Sequence, residues 1–197
     1  MFADHLWHHD CARGTNSNVQ NETNRMSENK RARNWMKIPT RAMPTPADRV
    51  YRQVGIEDVA TIARLMDRSY QGTIDHQGET LEQCADEIRS TLTGKYGAFF
   101  DFASFGIFES GKALSASLVT FWKEKPLLAF SMTDPDAQKN GHARFLIERS
   151  ISALAERGYS EFYLVVTEGN TSAERLYRRL GFEFLGPALP EGPPPTQ

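Results

Sequence analysis

The sequence has few of the features that mark secreted, membrane-spanning or nucleic-acid-coating proteins. Its two cysteines, Cys11 and Cys84, fit neither a metal nor a redox motif. No apolar run approaches the roughly 20 residues that cross a bilayer, and the polar, His-rich N-terminus lacks an apolar signal core. A net charge of −2 argues against a surface built as a whole for nucleic acid. We therefore expect a cytoplasmic, thiol-reduced protein with no membrane or nucleic-acid partner.

The N-terminal segment also has few large apolar residues. From Arg13 to Arg33 it is rich in Asn, Ser, Thr, Arg and Lys, so it buries too little surface to offset the entropy of ordering. We expect residues 1–47 to be a disordered extension, apart from a short helical turn at Trp35, Met36 and Ile38. A solvated polar tail explains its three histidines better than a metal site does, so we predict no metal. Those histidines are His5, His8 and His9.

Residues 48–187 have the length and composition of one globular domain. Of the 197 residues in the chain, 40% are apolar and 24% are charged, as in ordinary soluble domains. Residues 188–197 are rich in proline and should form a mobile tail. We interpret Cys84 as a small core residue on a helix.

The apolar pattern of this domain predicts an α/β (α+β) fold with the order β-α-α-β-β-β-α-β-α-β. The predicted strands are Val50–Gln53, Ala103–Glu109, Leu114–Trp122, Leu127–Thr133, Glu161–Thr167 and Phe182–Leu185. The predicted helices run from Gly55 to Tyr70, Thr80 to Leu92, Gly141 to Arg157 and Thr171 to Leu180.

The segment Gln138–Ala143 lies between an apolar strand and an amphipathic helix. Its small residues let the backbone approach a ligand, and the helix start offers unpaired N–H groups at the positive end of a dipole. Such a site suits a pyrophosphate, and Lys139 and Arg144 add positive charge nearby. Taken alone, the segment fits an ordinary turn equally well, because it matches neither the Rossmann nor the Walker pattern.

Two motifs in this domain resemble those of the GNAT superfamily of N-acyltransferases. The family loop is Gln/Arg-x-x-Gly-x-Gly/Ala with a proline three residues before it, and the later family block combines Asn, Ala, Leu-Tyr and Gly-Phe. The matching loop residues here are Pro135, Gln138, Gly141 and Ala143. The matching block is Asn170, Ala173, Leu176-Tyr177 and Gly181-Phe182. The resemblance extends from Val50 to Leu185 and implies a GNAT fold with a mixed sheet and splayed central strands.

The resemblance implies that acetyl-CoA is the acyl donor. Met132 and Thr133 would offer backbone groups to its pantetheine arm, and an N–H near Met132 would hold the thioester carbonyl. Asn170 would touch the same arm, and Ala173 would leave room for it. The pyrophosphate would lie on Gln138, Lys139, Asn140, Gly141, His142, Ala143 and Arg144.

Tyr177 matches the general acid of the family. An amine attacks the thioester and CoA departs as a thiolate, whose conjugate thiol has a pKa of about 8.5 against about 10 for a phenol. Proton transfer between them needs only modest tuning. Tyr177 also shares a helix face with Ala173, Leu176 and Leu180, so packing in the core is the alternative interpretation.

The loop between the first two helices is where the family contacts its acceptor. Asp75, His76 and Glu79 lie there and are our candidates for binding a small-molecule amine or a peptide, with solvated loop polarity as the alternative. No general base is evident, because the strand Leu127–Thr133 is uncharged. The acidic residues that flank this strand are Glu124 and Asp134.

Two rival classes remain open from the sequence. One is an acyl-CoA-binding module without turnover, and the other is a nucleic-acid-binding protein. The cationic clusters that suggest the second are better explained by a solvated tail and an exposed helix face, where Arg175 or Arg178 would reach the 3′-phosphate of CoA. These clusters are Lys30, Arg31 and Arg33, and Arg175, Arg178 and Arg179. The family resemblance is also compatible with a homodimer.

Overall fold

The computed structural model describes residues 31–44, 46 and 49–188. Within them the strands are β1 Arg33–Pro39, β2 Arg52–Gln53, β3 Ala98–Phe99, β4 Phe105–Glu109, β5 Lys112–Trp122, β6 Lys125–Thr133, β7 Glu161–Thr167 and β8 Glu183–Pro187. The helices are α1 Val59–Tyr70, α2 Leu81–Leu92, α3 His142–Glu156 and α4 Thr171–Leu180. The predicted α/β class and element order are confirmed, with β1 and β3 as additional strands.

All strands belong to one sheet in the order β2-β4-β5-β6-β7-β1-β8, with the short β3 paired to β5. Every pairing is antiparallel except that of β6 with β7. A parallel pair needs a long crossover, and α3 provides it.

The parallel pair is short. β6 and β7 match only at Leu127 with Tyr163 and at Leu128 with Leu164. At the same point the β5–β6 register shifts and leaves Ala129 without a partner position. A bulge of this kind bends its strand, so β6 diverges from β7 beyond Leu128. The predicted splay of the central strands is confirmed.

Helices cover both faces of the sheet. On β5, Leu118 points to the core formed with α1 and α2, whereas Val119 points to the core formed with α3 and α4. Consecutive strand residues face opposite sides, so the two helix pairs lie on opposite faces. We call these the α1/α2 face and the α3/α4 face.

The strand β1 corrects our sequence interpretation of the N-terminal segment. The expected helical turn at residues 35–38 is wrong, because β1 lies between β7 and β8 and pairs with both. Met36 and Ile38 are buried in the α3/α4 core, and Trp35 stacks on Trp122 at 5.7 Å between ring centroids. A strand buried on both faces has no apolar alternation to reveal it. Part of the expected extension therefore belongs to the sheet.

Smaller differences concern element ends. Of the predicted strand Val50–Gln53 only β2 pairs, and Val50 is 85% exposed. The strand predicted from Ala103 begins at Phe105, because Asp101–Ala103 forms a 3₁₀ turn. Cys84 is buried on α2, as predicted. In the described ranges, no helix combines the length and apolarity needed to cross a membrane.

Several predictions fall on other parts of the chain. Most of the expected extension, residues 1–30, and nearly all of the expected tail, residues 189–197, lie outside the described residues. So do the three N-terminal histidines and Cys11.

Candidate functional site

The gap between β6 and β7 is lined by backbone from one strand. The N–H of Asp134 donates to the carbonyl of Leu114 at 2.9 Å, which makes these two residues a hydrogen-bonded pair of the β5–β6 ladder. The alternation of an antiparallel ladder then turns the Met132 backbone toward β5 and the Ser131 and Thr133 backbones toward the gap. The Met132 carbonyl accordingly accepts the Ser115 hydroxyl at 2.8 Å. Of the two predicted pantetheine contacts, the geometry favours Thr133.

The predicted phosphate loop joins this gap to α3. Lys139 and Gly141 have φ values of 65° and 74°, and backbone turns of this kind form concave N–H nests. The first bond of the helix runs from the Phe145 N–H to the Gly141 carbonyl at 3.0 Å. The N–H groups of residues 142–144 therefore have no acceptor within the helix and lie at the positive end of its dipole. The side chains of residues 138–140 are exposed to solvent.

Arg49 is a cation at this loop that the motif does not include. Its Nη2 donates to the Asn140 carbonyl at 3.0 Å, and its Nη1 lies 3.4 Å from His142 Nδ1. The guanidinium carbon lies 5.3 Å from the centroid of the Phe145 ring. Burial and the charge of Arg49 lower the pKa of His142. The contact spans 91 residues of sequence, so no local pattern could have indicated it.

Among the described residues, the other predicted cations are not held beside the phosphate loop by a hydrogen bond to it. Arg144 donates to Glu148 on its own helix at 2.8 Å, so its charge is partly engaged. Lys139, Arg175 and Arg178 are exposed. Their roles toward a phosphate stay predictions.

Tyr177 reaches the gap from the α3/α4 face. It is 8% exposed, its ring meets Phe182 edge-on at 5.8 Å, and it shares a side-chain hydrogen bond with Ser131. Burial raises the pKa of Tyr177 to about 12, and the negative charge of Asp75 acts in the same direction. The phenol therefore keeps its proton throughout the neutral range.

Asp75 approaches the same gap from the loop between α1 and α2. Its Oδ2 accepts the side-chain amide of Asn170 at 2.9 Å, and Asn170 Oδ1 caps α4 by accepting the Ala173 N–H at 3.2 Å. The amide that we expected to touch pantetheine is thus engaged with Asp75. The negative charge of Asp75 also acts to raise the pKa of Tyr177. One predicted acceptor residue therefore lies within electrostatic range of the predicted acid.

The other two acceptor candidates lie further along the loop. Glu79 accepts the Gln77 N–H at 2.9 Å, and His76 donates its N–H to the Thr73 carbonyl at 3.3 Å. Within the described ranges neither forms a hydrogen bond with Asp75 or Tyr177. Both are half-buried.

Sequence reasoning missed two residues beside Asp75. Tyr70 ends α1, and burial together with the charge of Asp75 raises its pKa. Arg33 begins β1, where burial lowers the pKa of its guanidinium while Asp75 and Tyr70 act to raise it. Arg33 Nη1 is enclosed and has no hydrogen-bond partner among the described residues. Arg33 was missed because it reaches the site only through long-range folding. Tyr70 precedes Asp75 closely in the sequence but belongs to no local motif.

The two carboxylates that flank β6 lie elsewhere. Arg68 donates to both oxygens of Asp134, at 2.7 and 3.0 Å, and this pairing lowers the pKa of Asp134. Asp134 also lines a cavity of about 900 Å³ between α1, the β4–β5 turn and the phosphate loop. Glu124 lies in the β5–β6 turn, at the end of β6 opposite the gap. Neither is placed to take a proton beside Tyr177.

Comparison with known proteins assigns the chain to a family. Residues 76–182, more than half of the chain, match the model of the Acetyltransferase (GNAT) family. The chain therefore belongs to the GNAT acetyltransferase family, and the resemblance predicted from the two motifs is confirmed.

Individual relatives are more distant. The [ribosomal protein bS18]-alanine N-acetyltransferase of Escherichia coli strain K12 is 31% identical over 81 residues, which cover 41% of this chain and 55% of the relative. The chain thus spans about half the length of the curated relatives that it matches.

Solved structures show the fold. A GCN5-related N-acetyltransferase from Sphaerobacter thermophilus superposes with a TM-score of 0.62 at 19% identity, covering 85% of this chain and 54% of that one. The ribosomal-protein-S18-alanine N-acetyltransferase from Escherichia coli gives 0.55 at 22% identity, covering 68% and 77%.

Proposed function

We propose that this chain is an acetyl-CoA-dependent N-acetyltransferase, which transfers the acetyl group to a primary amine by direct attack in a ternary complex. The observation that carries this proposal is the gap between β6 and β7. β6 runs directly into the predicted phosphate loop and the N-terminus of α3. Tyr177 shares a hydrogen bond with Ser131 on β6, and the charge of Asp75 acts on its phenol. The gap thus lies next to both a candidate phosphate-binding element and a buried proton donor.

The residues present fit the donor. Acetyl-CoA supplies the acetyl group as a thioester, and its pyrophosphate needs N–H donors and positive charge. Residues 138–144 offer both, since Gly141 keeps the approach free of a side chain and the helix start directs N–H groups outward. Arg49, already held on the Asn140 carbonyl, adds a fixed cation beside them.

Inside the gap, backbone groups orient the donor. Ser131 and Thr133 offer N–H and carbonyl groups that no neighbouring described strand uses beyond Leu128. An N–H of this pair would donate to the thioester carbonyl and stabilise negative charge that develops on its oxygen. Ala173, half-buried on α4, leaves space beside the gap.

Tyr177 holds a proton on its hydroxyl oxygen at the level of Ser131. With a pKa raised by burial to about 12, Tyr177 keeps this proton until the thioester bond breaks. A thiol has a pKa of only about 8.5, so transfer to the departing thiolate requires the pKa of Tyr177 to fall when the substrates are bound. The Ser131 hydrogen bond lowers the pKa of Tyr177, so it stabilises the oxygen from which the proton leaves.

The acceptor side carries Asp75. A carboxylate held by Asn170 at 2.9 Å is suited to orient an ammonium group by charge-assisted hydrogen bonds. The Escherichia coli relative is named for acetylating an alanine of a ribosomal protein, which makes a peptide N-terminus one candidate acceptor. His76 and Glu79 remain candidates for outer contacts.

The test is a panel of amines assayed for CoA release, with the product masses measured. We expect acetyl-CoA-dependent release with at least one amine and a product heavier by one acetyl group. CoA-dependent thermal stabilisation without release would instead indicate an acyl-CoA-binding module, since binding alone adds about 2.7 kcal/mol at a hundredfold excess over Kd. The absence of any stabilisation at saturating CoA would overturn both.

A further inference from the structure

We propose that the acceptor is a free amino acid that binds as a zwitterion, with its carboxylate on Arg33 and its ammonium group on Asp75, and that loses one ammonium proton to water before the amine attacks. This inference rests on the proposed acetyl transfer and specifies the substrate of the same site. It is carried by the enclosed, unpartnered guanidinium nitrogen of Arg33 and by the half-buried Asp75, whose carboxylate is held by Asn170 just beyond the strand that pairs with Arg33.

The backbone of Arg33 is fixed from both sides. Arg33 pairs with Thr167 of β7, and its carbonyl accepts the N–H of Ala188 at 2.7 Å. Next to it, the Ala32 carbonyl accepts the Glu168 N–H at 2.8 Å. The guanidinium is therefore presented by the sheet and not by a free chain end.

The direction of the Arg33 side chain follows from the strand. Arg33 and Trp35 are two residues apart, so they share one side of β1. Trp35 stacks on Trp122 away from the α3/α4 core. Arg33 thus lies on the α1/α2 face, where the loop that carries Asp75 covers the gap.

The charge of Arg33 is enclosed without a full set of partners. Its Nη1 is shielded from solvent and meets no hydrogen-bond partner among the described residues. An unpartnered charged donor in such a place costs folding free energy, and sites that bind ligands are where such a cost is offset. A carboxylate matches the planar guanidinium fork.

The charge of Asp75 indicates that the ligand at Arg33 is a zwitterion and not a simple anion. The charge of Asp75 acts to raise the pKa of the Arg33 guanidinium, yet no direct ion pair joins these two described residues. An anion placed between them would be repelled by Asp75, and a plain amine would be repelled by Arg33. A molecule that carries both charges a few bonds apart satisfies both side chains.

The loop that carries Asp75 is held next to the strand that pairs with Arg33. The loop is tied to the β7–α4 connection by Asn170 and Asp75, and Ile74 Cδ1 lies 3.9 Å from where a Cβ on Gly169 would stand. The family match begins at residue 76, so Arg33 and Asp75 both lie outside the part that the chain shares with the family model.

The experiment compares free amino acids with their α-amides as acceptors for the full-length protein. An amide keeps the amine and loses only the carboxylate. We expect kcat/KM for the preferred free acid to exceed that for its amide by about 10–100-fold, the usual range for a charged hydrogen bond. Arg33→Gln should raise KM for the free acid, abolish this ratio and leave KM for acetyl-CoA unchanged. Arg31→Gln, an exposed neighbour, is the matched control.

The outcomes distinguish failure of the amino-acid assignment from failure of the proposed acetyl transfer. Equal use of acid and amide, a preference for peptide N-termini, or an unchanged ratio in Arg33→Gln would overturn the amino-acid assignment while leaving acetyl transfer intact. No turnover with any amine would instead contradict the proposed function. Should Arg33→Gln fail to fold, Arg33→Lys keeps the charge and should retain a weaker preference for the acid, and the wild-type ratio decides by itself.

Discussion

The donor side and the acceptor side of the gap are built in different ways. Apart from Arg49, the donor side comes from one continuous stretch, in which the phosphate loop, the start of α3 and Tyr177 follow each other within a few dozen residues. The acceptor side joins Arg33 of β1, Tyr70 of α1 and Asp75 of the following loop, which meet only after folding. The first side relies largely on backbone groups, and the second on charged side chains.

This difference indicates which residues bind the acyl donor shared by the family and which residues select the acceptor of this protein. Backbone N–H groups at a helix start can bind any pyrophosphate, so the residues that shape them form a short motif. Charges that select an acceptor can be supplied by any segment that reaches the site. Four predictions would break or sharpen the comparison.

The largest effect should come from the strand that carries Arg33. Ile38 is fully buried in β1, so Ile38→Ala should lower the free energy of unfolding by about 2–5 kcal/mol through lost burial and a cavity. Urea denaturation would measure this. Ile56→Ala is the matched control, because Ile56 is 57% exposed and should change stability by less than about 0.5 kcal/mol. Equal effects would contradict the central position of β1.

Next in size is the proton donor of the donor side. Tyr177→Phe removes only the hydroxyl, so kcat for CoA release should fall by about 10²–10³-fold with KM for acetyl-CoA little changed. Tyr159→Phe is the control, since Tyr159 packs in an aromatic cluster with Phe100 and Phe102. An unchanged kcat in Tyr177→Phe, with the amine saturating, would remove this residue from the mechanism.

The same contrast explains what the sequence could predict. The order of the helices and most strands was predictable, because apolar periodicity encodes it. The splay followed from the resemblance to the GNAT family, and the phosphate-binding role of residues 138–144 stays a prediction from a local motif. The strand β1 was not predictable, since Met36 and Trp35 are buried on opposite faces and the strand therefore shows no alternation of apolar and polar residues. Arg49 and Arg33 were not, because their contacts span long stretches of sequence.

A third, smaller effect should separate a cofactor cation from an ordinary surface cation. Arg49→Gln removes a charge held beside the phosphate loop, and we expect the Kd for CoA to rise about 10–100-fold, the loss of roughly one charged hydrogen bond. Calorimetric titration would measure it. Arg89→Gln is the control, since Arg89 is exposed on α2 and pairs with Asp86 of its own helix. Equal Kd values for both variants would show that Arg49 serves the loop structure alone.

The smallest effect concerns pH. Burial raises the folded-state pKa of Tyr177 to about 12, above the value of about 10 for an unfolded chain. The folded state therefore holds more protons above pH 10, and the stabilisation from Tyr177 is complete below pH 10 and lost as the pH rises toward 12.

Comparison of the wild type with Tyr177→Phe isolates the contribution of the Tyr177 phenol to the free energy of unfolding. Between pH 10 and 11 the wild type should lose up to about 1.4 kcal/mol more unfolding free energy than the variant. Denaturation curves at pH 9, 10 and 11 would measure the difference. Parallel losses in the two proteins would show that the phenol is not buried in solution.

The most direct test of the central claim is hydrogen exchange with and without CoA. If the gap between β6 and β7 binds the donor, peptides that cover residues 129–144 should exchange more slowly in the presence of CoA, because ligand bonds protect the Ser131 and Thr133 backbones and the start of α3. Protection confined to α1 and the β4–β5 turn, which line the side of the cavity opposite the phosphate loop, would contradict the assignment.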